Sequence, residues 1–399
     1  MTGGVAQTWL EEHGTALVQV RRHLHRHPEL SGDEHAATAL VSERLRAAGL
    51  APRALPGTGL VCDVGGGSGG PTVVLRADLD ALPIQDATTT PWRSTVPNVS
   101  HACGHDVHTA TVLGAGLALA EHDATTPLPG RVRLLFQAAE ERMPGGALDA
   151  IAAGAVDDAT FAFALHCDPT LTVGHVGVRE GAITAAADLV RIELRGPGGH
   201  TARPDRTVDL VGAVAALAAQ LPLVLARRLD ARHGTALVWG SVHAGAAANA
   251  IPDRAELAGT VRTLEVAAWR ELPEALAESA RAIVAPWGAT IEIEHRQGVP
   301  PVVNDASAAR LLAGAADEAL GAGTAVSTRQ SLGGEDFAWY LERVPGAMAR
   351  LGTRPRDWTG PDLDLHQGAF DVDEGAIAVG VQVLVAAALA AVGATRPAA

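Results

Sequence analysis

The pattern of the sequence predicts an α/β protein of two domains. The larger is an α/β domain with a mixed, mostly parallel sheet, discontinuous over residues 1–186 and 299–399; the smaller is an inserted α+β domain over 187–298. Three observations carry this. Short β-rich runs alternate with helical segments in the first region, which implies parallel strands joined by helical crossovers. From about Asp188 the order becomes βαββαβ, which closes into an antiparallel sheet with helices on one face. The 399 residues, 47% apolar and 19% charged, suffice for two buried cores.

Helical periodicity covers residues 5–27 and 34–48, while Leu60–Val64, Val73–Ala77 and Val132–Gln137 are β-rich runs bounded by Gly, Pro or Asp. Gly65–Gly70 reads as a hairpin tip. Ala110–Ala120 is a helix of small residues after a histidine-rich loop, and Phe161–Leu165 is a buried strand ending at His166. In the insert, Leu189–Arg195, Ala236–Ala244, Ala255–Thr263 and Thr290–Arg296 read as strands, and Asp209–Leu221 and Ala267–Ala285 as helices. The large domain resumes with a helix over 305–320 and closes with an apolar helix over Ala376–Val392, read as buried and not as a membrane span.

The net charge of −14 argues against nucleic acid as a partner, because a polyanion needs a basic face. All 31 basic residues counted as Lys or Arg are arginine, which excludes a Schiff-base lysine, pyridoxal chemistry and a phosphate-loop lysine. Cys62, Cys103 and Cys167 are too few and too scattered for a disulfide framework, which suits a reducing compartment. No signal core is seen near Glu11, Glu12 and His13, so a cytoplasmic protein with no membrane partner is expected.

The densest chemistry lies in Ser100-His101-Ala102-Cys103-Gly104-His105-Asp106-Val107-His108. A thiolate and imidazoles packed into one loop suit a transition metal, with Gly104 letting the backbone turn. The same residues also fit a Cys–His nucleophile pair, or a histidine-rich surface loop. Glu140 and Glu141 follow a hydrophobic strand, where adjacent carboxylates either begin a solvated helix or serve as ligand and general base. His166 and His366 are weak signals singly. Together the segments supply Cys103, His105, Glu141, His166 and His366, enough donors for a dinuclear site, with Glu140 spare.

At these residues the chain resembles the M20 metallopeptidase clan, in the subfamily of aminoacylases, hippurate hydrolases and auxin-conjugate amidohydrolases. Matching blocks run in order from Arg22-His23-Leu24-His25-Arg26-His27-Pro28-Glu29-Leu30 through Leu75–Ile84 and Gly199–Pro204 to Ala248–Asp253, Gly259–Thr263 and Gly333–Phe337. The resemblance implies a catalytic domain with an inserted lid and dimerisation domain. It implies two divalent metal ions (Mn²⁺, Zn²⁺, Co²⁺ or Ni²⁺) bridged by Cys103, one completed by Glu141 and His366, the other by His105 and His166. Glu140 would be the general base, and His200, supplied across a homodimer or higher oligomer, would stabilise the oxyanion. Asn249 and Arg262 would grip the substrate, and Asp78 and Asp106 would hold ligand imidazoles in the right tautomer. Arg76 stands where distant relatives carry a ligand histidine. Cys167-Asp168 would alter the pocket wall beside the metals. The reaction implied is hydrolysis of the amide bond of a small N-acyl amino acid; a dipeptidase or aminopeptidase on the same scaffold is the alternative.

Overall fold

The computed structural model describes residues 3–67 and 69–393. The chain divides into two compact units. The smaller holds Thr184–Val302 together with Gln330–Glu335; the larger ends its first stretch at Ile183, then takes Val303–Arg329 and the chain from Asp336 onward. The strip Gln330–Glu335 was read from sequence with the larger domain.

The larger unit is built on an eight-stranded sheet. Its centre is four parallel strands in the order Arg131–Gln137, Thr72–Asp78, Ala159–Thr172, Gly346–Arg354. Leu60–Gly65 joins one side antiparallel, and Val176–Val178 joins the other, also antiparallel. Three of the central strands are buried along almost their whole length, and Ala159–Thr172 is buried from Ala162 to Cys167, as parallel strands covered on both faces must be. That burial explains their unbroken apolar runs.

Helices Gly3–Arg26, His105–Thr125 and Ala306–Leu320 pack around the closing helix Gly375–Gly393. Small residues let them approach. A Cβ on Gly114 would lie 2.5 Å from Leu17 Cδ2 and 2.8 Å from Val381 Cγ2, so the helix axes could not come this close with a larger residue there. Gly375–Gly393 is long and apolar enough to cross a membrane, yet most of it is buried in this core. Leu210–Arg228 has the same length and is less apolar, yet still apolar enough to cross a membrane, which the sequence reading passed over; it buries one face, including Leu210, Val214, Leu217, Leu221 and Leu225.

The smaller unit has the strand order Ala236–Ala244, Arg254–Arg262, Ala187–Arg195, Thr290–Val299, antiparallel throughout. Val190, Ile192 and Leu194 point into its core with the two helices Leu210–Arg228 and Val266–Val284. The alternate residues face outward, where Arg191 bonds Glu256 at 2.8 and 2.9 Å. A separate two-stranded ribbon pairs Gly199–His200 with Ala250–Ile251.

Two expectations need correction. Gly65–Gly70 is not a hairpin tip, because the strands on either side of it both pair with Arg131–Gln137 and not with each other; Ser68 lies outside the described residues. The strand expected to stop at His166 continues to Thr172, because it keeps its parallel partner, Gly346–Arg354, well past that histidine.

The packing at Gly114 generates a test. Gly114→Val should lower stability by about 1–3 kcal/mol, the usual cost of overfilling a packed core. It would read as a lower urea midpoint with an unchanged slope.

Candidate metal centre

Ligands of open parallel sheets gather at the carboxyl ends of the strands, and the chemistry-bearing residues here do so. Arg131–Gln137 is followed by a tight turn in which Ala139 adopts φ +56°, leading into Glu140 and Glu141. Ala159–Thr172 carries His166. The helix beginning at His105 is entered through Gly104, whose φ is +86°. A Cβ there would sit 2.7 Å from Cys167 Sγ, so both backbone and packing require glycine. His366 also has a positive φ, +60°, and its N–H donates to the Ala102 carbonyl at 2.8 Å, which pins its loop beside Cys103.

The expected ligands come together in two groups. Cys103, His105 and His166 offer donor atoms within 4.8 Å of one another, as do Cys103, Glu141 and His366. Cys103 belongs to both. His105, Glu140 and Glu141 form a third overlapping group. Cys103 Sγ lies 3.5 Å from His166 Nε2, and His366 Nε2 lies 3.2 Å from Glu141 Oε1.

The donors fit divalent transition metals. The His105 Nδ1–H donates to the Asp80 carbonyl at 2.8 Å and the His166 Nδ1–H to the Cys167 carbonyl at 2.9 Å. Each ring therefore carries its proton on Nδ1 and turns the Nε2 lone pair inward, the tautomer a metal requires. His105 Nε2 is buried and has no hydrogen-bond partner. Thiolate, imidazole and carboxylate together suit zinc-like and manganese-like ions.

The surroundings are strongly anionic. Burial alone would depress the His105 imidazolium, but Asp78, Asp80 and Glu141 outweigh it and raise its pKa to about 10, so the surroundings hold a positive charge at Nε2, a proton or in its place a divalent ion that takes the lone pair. That is a site which favours a cation. His166 is held well below its usual value, by burial first and then by Arg350 and His108, so it stays neutral and able to coordinate.

Arg76 is not a ligand. It is buried and donates to Asp78 Oδ2 and Asp336 Oδ1, each at 2.7 Å, and to Gln137 Oε1 at 3.0 Å. Asp78 takes a different part from the one expected. Its Oδ1 accepts the His108 Nδ1–H at 2.7 Å, while its nearest approach to the His105 Nε2 is 3.7 Å. Burial would raise the Asp78 carboxyl, but His105, His108 and Arg76 hold it well below the usual carboxylate range. His108 Nε2 in turn accepts the Cys167 N–H at 2.8 Å, so both of its nitrogens are engaged in bracing the strand beside His166.

Asp106 also departs from expectation. It pairs with Arg21 at 2.7 Å and with His25 at 2.8 Å, on the side of the loop away from the ligand imidazoles. Residues in the first helical turn point around the axis, so Asp106 and its neighbour His105 cannot face the same way. Cys167 is fully buried in the core against Gly104 and Phe370 and forms no pocket wall, because alternation along the strand turns it opposite to His166. Asp168 bonds Thr170. Sequence reading missed Asp80, Glu34 and His108; the Asp78-Leu79-Asp80 doublet at a strand end was the available signal for the first.

In the smaller unit, His200 and Asn249 are exposed neighbours: His200 pairs with Ala250, and the Thr201 N–H donates to the Asn249 carbonyl at 3.3 Å. Arg262 ends the strand that begins at Arg254, eight positions on (254 to 262), or roughly 26 Å of extended chain. The three residues thus do not form one cluster within this unit.

The turn at Gly104 can be tested directly. Gly104→Ala should cost about 1–3 kcal/mol from the left-handed backbone alone, and should reduce metal stoichiometry by displacing Cys103 and His105. Adding Cys167→Ala should recover only the part due to side-chain contact, as read by thermal melts and metal analysis.

Comparison with known proteins gives the family. Residues 74–390 match the model for peptidase family M20/M25/M40. N-acetylcysteine deacetylase of Bacillus subtilis is 37% identical over 371 residues, 92% of this chain and 94% of that protein. A Rhodococcus jostii protein named provisionally as glutamate–cysteine ligase 2-3 is 49% identical over 93% of this chain, but this chain spans only 46% of it. The crystal structure of Bacillus subtilis YxeP, described as a dinuclear metal-binding peptidase of family M20, superposes with a TM-score of 0.82 at 34% identity, covering 95% of this chain and 98% of that one. This chain belongs to peptidase family M20/M25/M40.

Proposed function

We propose that the protein hydrolyses the amide bond of a small N-acyl amino acid, releasing a carboxylic acid and a free amino acid. The observation that carries this is the pair of three-donor groups sharing Cys103, with Glu140 beside them. Cys103, His105 and His166 would hold one divalent ion, and Cys103, Glu141 and His366 the other. When bound, the ions would supply Lewis acidity to the attacking water and the scissile carbonyl.

Glu140 is the remaining carboxylate. It is buried, with Oε2 3.9 Å from His105 Nε2, close enough to take the proton of an attacking water and return it to the leaving amine. The deacetylase likeness supports a small acyl group. Glu140→Gln should keep its metal and lose at least ~10²-fold in turnover. Glu141→Gln should lose metal instead, and Cys103→Ser should bind it weakly. Normal metal content in Cys103→Ser, with an acyl-cysteine trapped in the wild type, would point to a thiol nucleophile.

We also propose that two copies complete each active site. His200 and Asn249 stand at one end of the smaller unit's sheet and Arg262 at the other, too far apart in one copy to touch one small ligand. His200 from a second copy would steady the oxyanion, while an Arg262 fork would suit a substrate carboxylate. Mixing inactive His200→Ala with inactive Glu140→Gln under subunit exchange should restore activity, because hybrid dimers contain one intact site. Exchange without recovery would place His200 in its own copy's site or outside catalysis.

A further inference from the structure

We infer that Asp80 is a positioning residue that aims the base and one ligand carboxylate together, by capturing the backbone of the Glu140–Glu141 turn. The inference rests on the dinuclear reading above. Asp80 Oδ1 accepts the Glu140 N–H at 3.1 Å, and Oδ2 accepts the Glu141 N–H at 2.9 Å. Oδ2 also accepts the Ser31 hydroxyl at 2.7 Å. The main-chain carbonyl of the same residue takes the His105 Nδ1–H at 2.8 Å. One residue therefore holds the main chain of Glu140 and Glu141 and the ring of His105.

The turn is built to be held this way. With Ala139 at φ +56°, the N–H groups of Ala139, Glu140 and Glu141 all point inward, a concave array of the kind that binds anions. Here the anions belong to the protein. Glu34 Oε1 takes the first N–H at 2.8 Å, and Asp80 takes the next two. Glu34 and Asp80 are both buried, and hydrogen bonds to an ionised carboxylate are roughly twice as strong as neutral ones. Glu34 is itself fixed by the Gly32 N–H at 2.8 Å and the Thr58 hydroxyl at 2.5 Å. The result is that Glu140 Oε2 and Glu141 Oε1 each stand 3.9 Å from His105 Nε2.

An ordinary turn cap would maintain the fold without setting the geometry of bound metal. The two roles separate in the Co²⁺-loaded full-length protein. Asp80→Asn replaces one acceptor oxygen by an NH₂ that faces an N–H, so one clamp bond is lost. It should fold, lose about 10–100-fold in kcat with little change in KM, and show an altered visible Co²⁺ spectrum. Ser31→Ala removes only the hydroxyl bond to Oδ2 and should show a smaller change of the same kind. If Asp80→Asn does not fold, Ser31→Ala decides by the same two readouts. Wild-type kcat and Co²⁺ spectrum in the folded variants would overturn the inference. Failure of the functional reading appears elsewhere, in the wild type itself, as uptake of fewer than two Co²⁺ or no cleavage of N-acyl amino acids.

Discussion

Buried negative charge has to be compensated, and in the larger unit that requirement organises the carboxyl edge of the sheet. Asp78, Asp80, Asp106, Glu34 and Glu140 are all buried, an arrangement too costly to survive without partners. Four of them meet one of two classes of partner, an arginine with a histidine or a set of backbone N–H groups. Asp78 has Arg76 and His108, Asp106 has Arg21 and His25, and Asp80 and Glu34 have backbone N–H groups. What is left at the centre is a cluster of thiol, imidazole and carboxylate donors whose charge a divalent ion would balance.

The scaffold makes such a cluster possible because it is stiff. The central parallel strands are buried on both faces, and the helix that follows the histidine loop is packed along most of its length. Loops that leave such elements have little freedom in their first few residues. Cys103, His105, Glu140, Glu141 and His166 all lie within a short distance of a strand or helix end or inside a strand. His366 is the exception. It sits in an irregular segment and is held by its main-chain bond to Ala102 and by its ring against Glu141.

The distribution of roles among similar side chains also follows from position. His105, His108 and His166 are all buried, yet His108 has both nitrogens engaged and the other two keep Nε2 turned inward. Asp78 and Asp80 are two residues apart, yet one balances an arginine while the other gathers N–H groups. Residue type alone does not separate these. The partner of the second ring nitrogen or second oxygen does.

The βαββαβ insert, the alternating first region and the set of candidate donors were legible from sequence, because each rests on a local pattern: periodicity of apolar residues, glycine and proline punctuation, and clustered donors at the ends of apolar runs. Family blocks added the pairing of distant donors such as His366 with Glu141. Asp80, Glu34 and the reassigned Asp106 were not legible. Their partners are backbone N–H groups and side chains as remote as Glu34 and Ala139, or Arg21 and Asp106. Backbone N–H groups carry no residue identity, and which way a carboxylate points depends on the left-handed turn at Ala139 and the helix phase at His105. Sequence alone determined which donors exist and in what order; only the tertiary structure decided which face one another and which are consumed in holding them, because that depends on directions set by long-range packing.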